Sequence, residues 1–120
     1  KNRLNYVENH LGISVDFQFN ELPKISNDIE NNLFRIVAES LNNSLKHSKA
    51  TRISIRLFYS DGELDLTISD NGVGFYVEEG EKNGGFGLST IKERAKMIDA
   101  QLELISTPGS GTKVSIRKSC

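Results

Sequence analysis

Cysteine is almost absent from the sequence: the one thiol, Cys120, is the last of the 120 residues. A single cysteine can form neither an internal disulfide nor a zinc site made of several thiols, so the fold must be held by its core. We expect a reducing compartment and a dispensable terminal thiol, with a redox role for Cys120 as the alternative.

Long apolar runs and an excess of positive charge are missing as well. No stretch reaches the roughly 18 apolar residues that a membrane-spanning helix needs, and no signal peptide is visible. The formal net charge is −1 and the lysines and arginines are scattered, which argues against a nucleic-acid-binding surface. We therefore expect a cytoplasmic chain that contacts neither nucleic acid nor a membrane.

The length suits one domain, so we assign residues 1–120 to a single domain. Because the chain begins with Lys1 and not with Met, we expect it to be a segment of a longer protein. Any membrane anchor would then belong to that longer protein.

The apolar patterns predict an α+β fold. The strands come mostly as hairpins with one polar face, so we expect a mixed, mostly antiparallel sheet covered by helices on one face, a two-layer α/β sandwich. Asn27 is the predicted N-cap of the long helix, with Glu30 completing a capping box, and Asp61-Gly62 predicts a tight hairpin turn. The predicted elements are a short helix over 2–11, a strand over 13–19 with one buried face, a helix over 27–47, strands over 52–59 and through Leu64, Leu66 and Ile68, a helix over 87–98, and a closing hairpin of 101–106 and 112–117.

Polar side chains line one edge of the long helix. Glu39 and Asn43 are four residues apart and lie on one face, and Lys46 follows within a further turn. Oxygen ligands suit Mg²⁺ and an ammonium group suits a phosphate, which favours a ligand site beside the core. Taken alone, the same residues also fit an ordinary solvated Glu–Lys face.

The segment Asp70-Asn71-Gly72-Val73-Gly74-Phe75 follows a strand directly. Asp70 ends the strand, where its carboxylate can face a cleft, and Gly72 and Gly74 allow the backbone to approach a flat ligand. A carboxylate beside bare backbone can accept a hydrogen bond from an exocyclic amine such as that of adenine. A plain Asp-Asn-Gly turn is the alternative.

A glycine-rich stretch from Gly72 to Gly87 is too long for an ordinary connection, so we expect it to be functional or mobile. It ends in Gly84-Gly85-Phe86-Gly87-Leu88-Ser89, which opens a helix whose free N–H groups favour an anion. A simple helix entry is the alternative. The segment matches neither a Walker A loop nor the dinucleotide-binding fingerprint.

Together these segments resemble the nucleotide-binding motifs of one superfamily. The stretch 39–47 resembles the N box of histidine kinases, Asp70–Phe75 their G1 box, Gly85–Leu88 their G2 box, and Gly111-Thr112-Lys113-Val114 the final Gly-Thr element. The resemblance to the gyrase, HSP90, histidine kinase and MutL superfamily covers about residues 13–117 and implies the Bergerat ATP-binding fold. Within it, the nitrate-sensor and desaturase-regulator type of histidine kinase is the one that this sequence most resembles, in Arg35-Ile36-Val37-Ala38-Glu39, in Lys46-His47 and in the short lid.

The resemblance implies that ATP and Mg²⁺ are the cofactors. Glu39 matches the acidic residue that acts as a base or orients the attacking group, and Asn43 matches the Mg²⁺ ligand. Lys46 and His47 would face the phosphates, with Lys46 also catalytic, although His47 equally suits a helix-capping or packing role. Asp70 matches the carboxylate that binds adenine.

The remaining matches surround the same nucleotide. Gly72 and Gly74 would shape the adenine pocket, and Thr112 matches a threonine close to the adenine. Residues 75–86 match the mobile ATP lid. The residues that the resemblance places in or beside this lid and against the nucleotide are Phe75, Gly85, Phe86, Gly87 and Leu88.

The phosphate acceptor implied by the family is a histidine on a separate dimerisation domain, with a response regulator downstream. Neither His10 nor His47 has the His-Asp or His-Glu context of such an acceptor, so we expect no autophosphorylation by this chain. The alternatives are a serine protein kinase of the anti-sigma-factor type, an ATPase of the gyrase or MutL type, and a nucleotide-binding pseudokinase. Where relatives often have glycine, Asp99 is expected to take a left-handed conformation at the end of the last helix.

Overall fold

The computed structural model describes residues 14–46, 49–74 and 88–119, apart from the side chains at 45 and 46, and these residues contain five strands and two helices. The helix predicted over 2–11 and Ile13 of the first strand lie outside these residues. In chain order the elements are β1 (Ser14–Phe19), α1 (Asn27–Lys46), β2 (Arg52–Ser60), β3 (Glu63–Asp70), α2 (Leu88–Met97), β4 (Gln101–Ser106) and β5 (Thr112–Ser119).

The strands form one mixed sheet in the order β1-β2-β3-β5-β4. β1 runs parallel to β2, and the other three neighbouring pairs are antiparallel. A parallel pair needs a long crossover connection, which α1 supplies between β1 and β2. The predicted mixed, mostly antiparallel sheet is confirmed.

The β2–β3 hairpin turns at Asp61-Gly62, where both residues have positive φ angles of 52° and 77°. Two positive φ values define the tight turn whose twist matches that of the flanking strands, as the sequence predicts. The turn fixes a register in which Ser60 faces Glu63 and, at the far end, Ile53 faces Asp70. Asp70 is thereby placed at the end of the ladder, beside the first residues of β2.

The core lies between one face of the sheet and the two helices. Directly paired strand residues share a face, and the paired residues Ile55, Ile68 and Val114 are all buried. Apolar side chains of both helices pack into the same cluster, which confirms the predicted two-layer arrangement. The buried members are Leu33, Ile36, Leu41, Ala50, Ile53, Ile55, Leu64, Leu66, Ile68, Leu88, Ile91, Ala95, Ile98, Val114 and Ile116.

A buried asparagine joins the two helices. Asn32 of α1 is 4% exposed; its Nδ2 donates to the Asp28 carbonyl at 2.8 Å, and its Oδ1 accepts from Arg94 of α2 at 3.4 Å. Both the oxygen and the nitrogen of the Asn32 amide therefore have hydrogen-bond partners, where burial would otherwise be costly.

In the described part of the chain neither helix combines the length and the apolar character of a membrane span.

The N-cap of α1 is Ser26, so the predicted cap at Asn27 is wrong by one residue. The Ser26 hydroxyl accepts from the Ile29 N–H at 3.2 Å, and its carbonyl accepts from the Glu30 N–H at 3.0 Å. Because the cap lies one residue earlier, Ile29 and not Glu30 occupies the third helical position, and no capping box forms.

The predicted burial of one face of β1 holds only for Val15, which is partly buried against the core. Phe17 and Phe19 pair with Ile55 and Leu57 and therefore face the helix side of the sheet, yet they are 38% and 56% exposed. The reason is position: β1 is the edge strand, and among the described residues the helices pack over the middle of the sheet. The two rings contact each other instead, with centroids 5.3 Å apart.

The end of α2 confirms the expectation for Asp99, whose φ is 53°. The Ala100 N–H donates to the Ala95 carbonyl at 2.9 Å, and the Asp99 N–H donates to the Lys96 carbonyl at 3.1 Å. These are the two hydrogen bonds of the Schellman motif, in which Asp99 replaces the usual glycine.

Candidate functional site

The end of α1 and the end of β3 meet over the sheet at Asp70. The Ser44 hydroxyl, in the last turn of the helix, donates to Asp70 Oδ2 at 2.7 Å. Asp70 also pairs directly with Thr112, the first residue of β5, so both side chains point to the helix side of the sheet. Three elements distant in sequence thus contribute polar side chains to one place.

The Asp70 carboxylate is held by donors on both of its oxygens. Oδ1 accepts from the Gly72 N–H at 2.8 Å while Oδ2 accepts from Ser44. An ionised carboxylate is an acceptor only and has about four lone-pair sites, so two remain for a ligand. A group that donates hydrogen bonds is therefore the chemical match for this oxygen pair.

Asn43 lies next to Ser44 and is only 9% exposed. Its side-chain amide has no hydrogen bond to any described residue, although buried amides are normally paired. One turn earlier Glu39 is half-buried, and the hydroxyl of Ser40 is buried with no partner in the described chain. Glu39 and Asn43 thus lie one turn apart on α1, and the Ser40 hydroxyl between them has no hydrogen-bond partner among the described residues. The role of this edge in binding a ligand stays a prediction.

Thr112 is hydrogen-bonded to a residue that sequence reasoning missed. The hydroxyls of Thr112 and Ser106 are 2.9 Å apart, and Ser106 also donates to the Gly111 carbonyl at 3.3 Å. Ser106 is 6% exposed at the end of β4 and pairs directly with Thr112. In the sequence, Ser106 could have been noticed because it is polar at a position of β4 where the alternation with Leu102 and Leu104 predicts an apolar residue.

Glycines allow the loop after Asp70 to contact the β4–β5 turn. A Cβ at Gly74, whose φ is 68°, would overlap the Thr107 carbonyl oxygen, and one at Gly111 would overlap the Asp70 carbonyl oxygen. The Gly109 N–H donates to the Val73 carbonyl at 2.6 Å across the same contact. For Gly74 the structure thus supplies a packing requirement, which differs from the ligand approach expected from the sequence.

Several predicted site residues lie outside the described residues, and one lies in the core. His47, Phe75, Gly85, Phe86 and Gly87 lie outside the described residues, as does the side chain of Lys46. Leu88 is 2% exposed and its side chain belongs to the core, so any contact of Leu88 with a nucleotide would involve its backbone, and that role stays a prediction.

The two-layer fold, with polar side chains gathered at the helix–sheet junction, corresponds to a known family. Residues 28–119 match the model of the family described as "Histidine kinase-, DNA gyrase B-, and HSP90-like ATPase". The chain belongs to this family.

Its relatives include sensor histidine kinases. Over 94 residues the chain is 40% identical to the sensor protein VraS of Staphylococcus aureus, a match that covers 78% of this chain and 27% of VraS. The chain therefore spans about a quarter of the length of this relative. It is homologous to the catalytic domain of such kinases.

Solved structures share the fold. The histidine kinase domain of a blue-light-activated kinase from Erythrobacter litoralis superimposes with a TM-score of 0.77 at 22% identity, covering 98% of this chain and 56% of that one. Full-length ShkA in complex with AMPPNP also gives a TM-score of 0.77, at 17% identity, covering 98% of this chain and 27% of ShkA.

The glycine contact yields a test with a matched pair of variants. Gly74→Ala and Gly109→Ala both force alanine into a positive φ, but only at Gly74 does the new methyl group meet backbone, since nothing lies within 4 Å at Gly109. Gly109→Ala should lower the free energy of unfolding by about 1–2 kcal/mol. Gly74→Ala should cost about 1–3 kcal/mol more, because the clash adds to the strain. Urea unfolding measures both, and equal losses would contradict the packing requirement.

Proposed function

We propose that this chain binds Mg-ATP between the end of α1 and Asp70 and donates the γ-phosphoryl group to a histidine on a separate dimerisation domain of the same sensor kinase. The observation that carries the proposal is the Asp70 carboxylate, which accepts hydrogen bonds from Ser44 and Gly72 and is thereby held close to Asn43, the residue directly before Ser44 on α1. The Asp70 carboxylate can accept a hydrogen bond from a nucleotide base, and the Asn43 amide can supply an oxygen to a cation.

The hydrogen-bond directions at Asp70 favour adenine over guanine. Both donors to the carboxylate come from the protein, so its remaining lone pairs can only accept. The exocyclic amine of adenine donates there, whereas the 6-oxo group of guanine would set two acceptors against each other. Gly72 and Thr112 lie next to this carboxylate and would border the base.

The donor set at Asn43 fits a magnesium ion that is held largely by phosphates and water. Mg²⁺ prefers oxygen ligands and commonly takes only one or two from the protein. Consistent with this, the described residues contain no group of three or more His, Cys, Asp or Glu that could form a metal cage. When bound, the ion would neutralise charge on the triphosphate, and the Asn43 carbonyl oxygen would hold it.

The reaction would depend on positioning more than on covalent chemistry by the protein. Glu39, one turn before Asn43 on the same helix, would accept the proton of the attacking imidazole or orient it. Lys46 and His47 would face the phosphates, and residues 75–86, with Gly85, Phe86 and Gly87 at their end, would form the lid.

The wider setting is part of the same proposal. The segment Arg35–Glu39 supports assignment to the nitrate-sensor and desaturase-regulator type of kinase. A cytoplasmic location and a downstream response regulator follow for the whole protein, with any membrane anchor outside this chain. The AMPPNP complex of ShkA, an ATP-analogue complex of a protein with the same fold, supports ATP as the ligand.

Phosphoryl transfer is tested with labelled ATP and acid-labile detection of phosphohistidine. The chain alone should acquire no label, and adding the histidine-bearing dimerisation domain of its parent kinase should produce label on that domain. Glu39→Gln should keep ATP binding but slow transfer by roughly 10²–10⁴-fold, the usual contribution of a general base. Rapid labelling of His10 or His47 in the chain alone would contradict the proposal.

Asp70 should decide base selectivity. Asp70→Asn keeps the size of the side chain but places an amide donor against the exocyclic amine, so ATP binding should weaken by about 1–3 kcal/mol. Calorimetry with ATP and GTP measures the change, and the preference for ATP should shrink in parallel. An unaltered ATP affinity would remove Asp70 from the pocket.

Asn43 should carry the metal dependence. Asn43→Ala removes the amide oxygen, so Mg-ATP binding should weaken by about tenfold or more, while nucleotide binding in EDTA changes little. Asn42→Ala is a matched control, because the neighbouring Asn42 is exposed on the same helix. Equal weakening with and without metal would refute the role of Asn43.

A further inference from the structure

Asn71 makes an unusually complete set of hydrogen bonds for an exposed residue. Its Oδ1 accepts from the N–H groups of Thr51 at 3.0 Å and Arg52 at 2.9 Å, and its Nδ2 donates to Thr51 Oγ1 at 3.0 Å. Its own N–H donates to the Arg52 carbonyl at 3.2 Å. One side chain therefore binds both Thr51, which precedes β2, and Arg52, the first residue of β2.

These contacts continue the sheet where its regular pairing stops. The β2–β3 ladder ends with the pair Ile53–Asp70, so Asn71, the residue that follows β3, lies beyond the regular pairing. Strand ends tend to open locally, and Asp70 is the last residue of β3. The Asn71 side chain prevents such opening because it replaces the missing ladder with three hydrogen bonds.

The same contacts set the distance between two parts of the site. Thr51 and Arg52 follow α1 closely in the chain, and α1 carries Asn43. Asp70 is joined to α1 through Ser44, and Asn71 is joined to the segment that leaves α1. Two attachments on successive residues fix Asp70 against the helix in both position and direction.

We infer that Asn71 is a positioning residue for ATP binding: by tying the end of β3 to Thr51 and Arg52, it holds the Asp70 carboxylate where it can distinguish adenine from guanine while Asn43 serves the phosphate end of the same molecule. This inference rests on the proposed function. A hydrogen bond between the Asp70 carboxylate and the exocyclic amine of adenine weakens steeply as its distance and angle depart from the ideal, so a misplaced carboxylate would distinguish the two bases less well.

The chain contains a matched control for this side chain. At the other end of β2, Asn20 makes the same kind of bridge: its Nδ2 donates to the Tyr59 carbonyl and its Oδ1 accepts from the Tyr59 N–H, both at 2.8 Å. Tyr59 lies at the opposite end of β2 from Arg52. Asn20→Ala removes a comparable attachment without touching the Asp70 end.

The experiment compares Asn71→Ala, Asn71→Ser, Asn71→Asp and Asn20→Ala by urea unfolding and by calorimetric Kd values for Mg-ATP and Mg-GTP. Asn71→Ala should weaken ATP binding roughly tenfold and lower the ATP-to-GTP preference by a similar factor, at a temperature where it is fully folded. Asn20→Ala should lose stability but keep the preference. Asn71→Asp should keep the ATP-to-GTP preference that Asn71→Ala loses. Its carboxylate can still accept from the N–H groups of Thr51 and Arg52, and the Thr51 hydroxyl can donate to it.

The outcomes separate this role from a merely structural one. A preference that stays at the wild-type value in Asn71→Ala, or one that falls equally in Asn20→Ala, would overturn the inference while leaving Asp70 in the pocket. If Asn71→Ala does not fold, Asn71→Ser, which keeps one hydroxyl acceptor, must still lower the preference. Failure of the wild-type chain to bind ATP would overturn the proposed function and the role of Asn71 with it.

Discussion

The 2.7 Å hydrogen bond between Ser44 and Asp70 is the contact on which the arrangement of the site depends. It crosses from the helical layer to the sheet, and it joins a polar pair at the margin of an otherwise apolar interface. Apolar contacts have little direction, so packing alone specifies the relative position of two layers less sharply than a hydrogen bond does. A directional bond at the edge defines the position of α1 along the strands.

Much of the fold could be predicted from apolar periodicity. The two described helices, the four antiparallel strands and the Asp61-Gly62 turn follow from patterns of period 3.6 or 2 and from local turn chemistry. The parallel pairing of β1 and the exposure of its phenylalanines could not be predicted in this way. They depend on where β1 falls in the sheet order, which no local pattern encodes.

The candidate site likewise contains residues that could be predicted from the sequence and residues that could not. Glu39, Asn43 and Asp70 could be selected as candidates because their residue types and spacing suit oxygen ligands and a carboxylate that accepts a hydrogen bond from a base. Ser44, Asn71 and Ser106 were not singled out, since a serine or asparagine near a turn is common and its partner is decided only by tertiary contact. For Gly74 the sequence indicated a need for glycine, but the reason, a neighbouring carbonyl from the β4–β5 turn, is visible only in three dimensions.

The place of β5 in the sheet has a consequence for how the domain acquires its site during synthesis. β5 is the last described strand in chain order, yet it lies between β3 and β4 in the interior of the sheet. Asp70 therefore lacks its neighbour Thr112, and Gly74 lacks the turn it packs against, until the final hairpin has joined. A nascent chain that has emerged only as far as α2 contains Glu39, Asn43 and Asp70 but lacks β5 and the β4–β5 turn, which help to position Asp70 and Gly74. Nucleotide binding is thus tied to completion of the sheet.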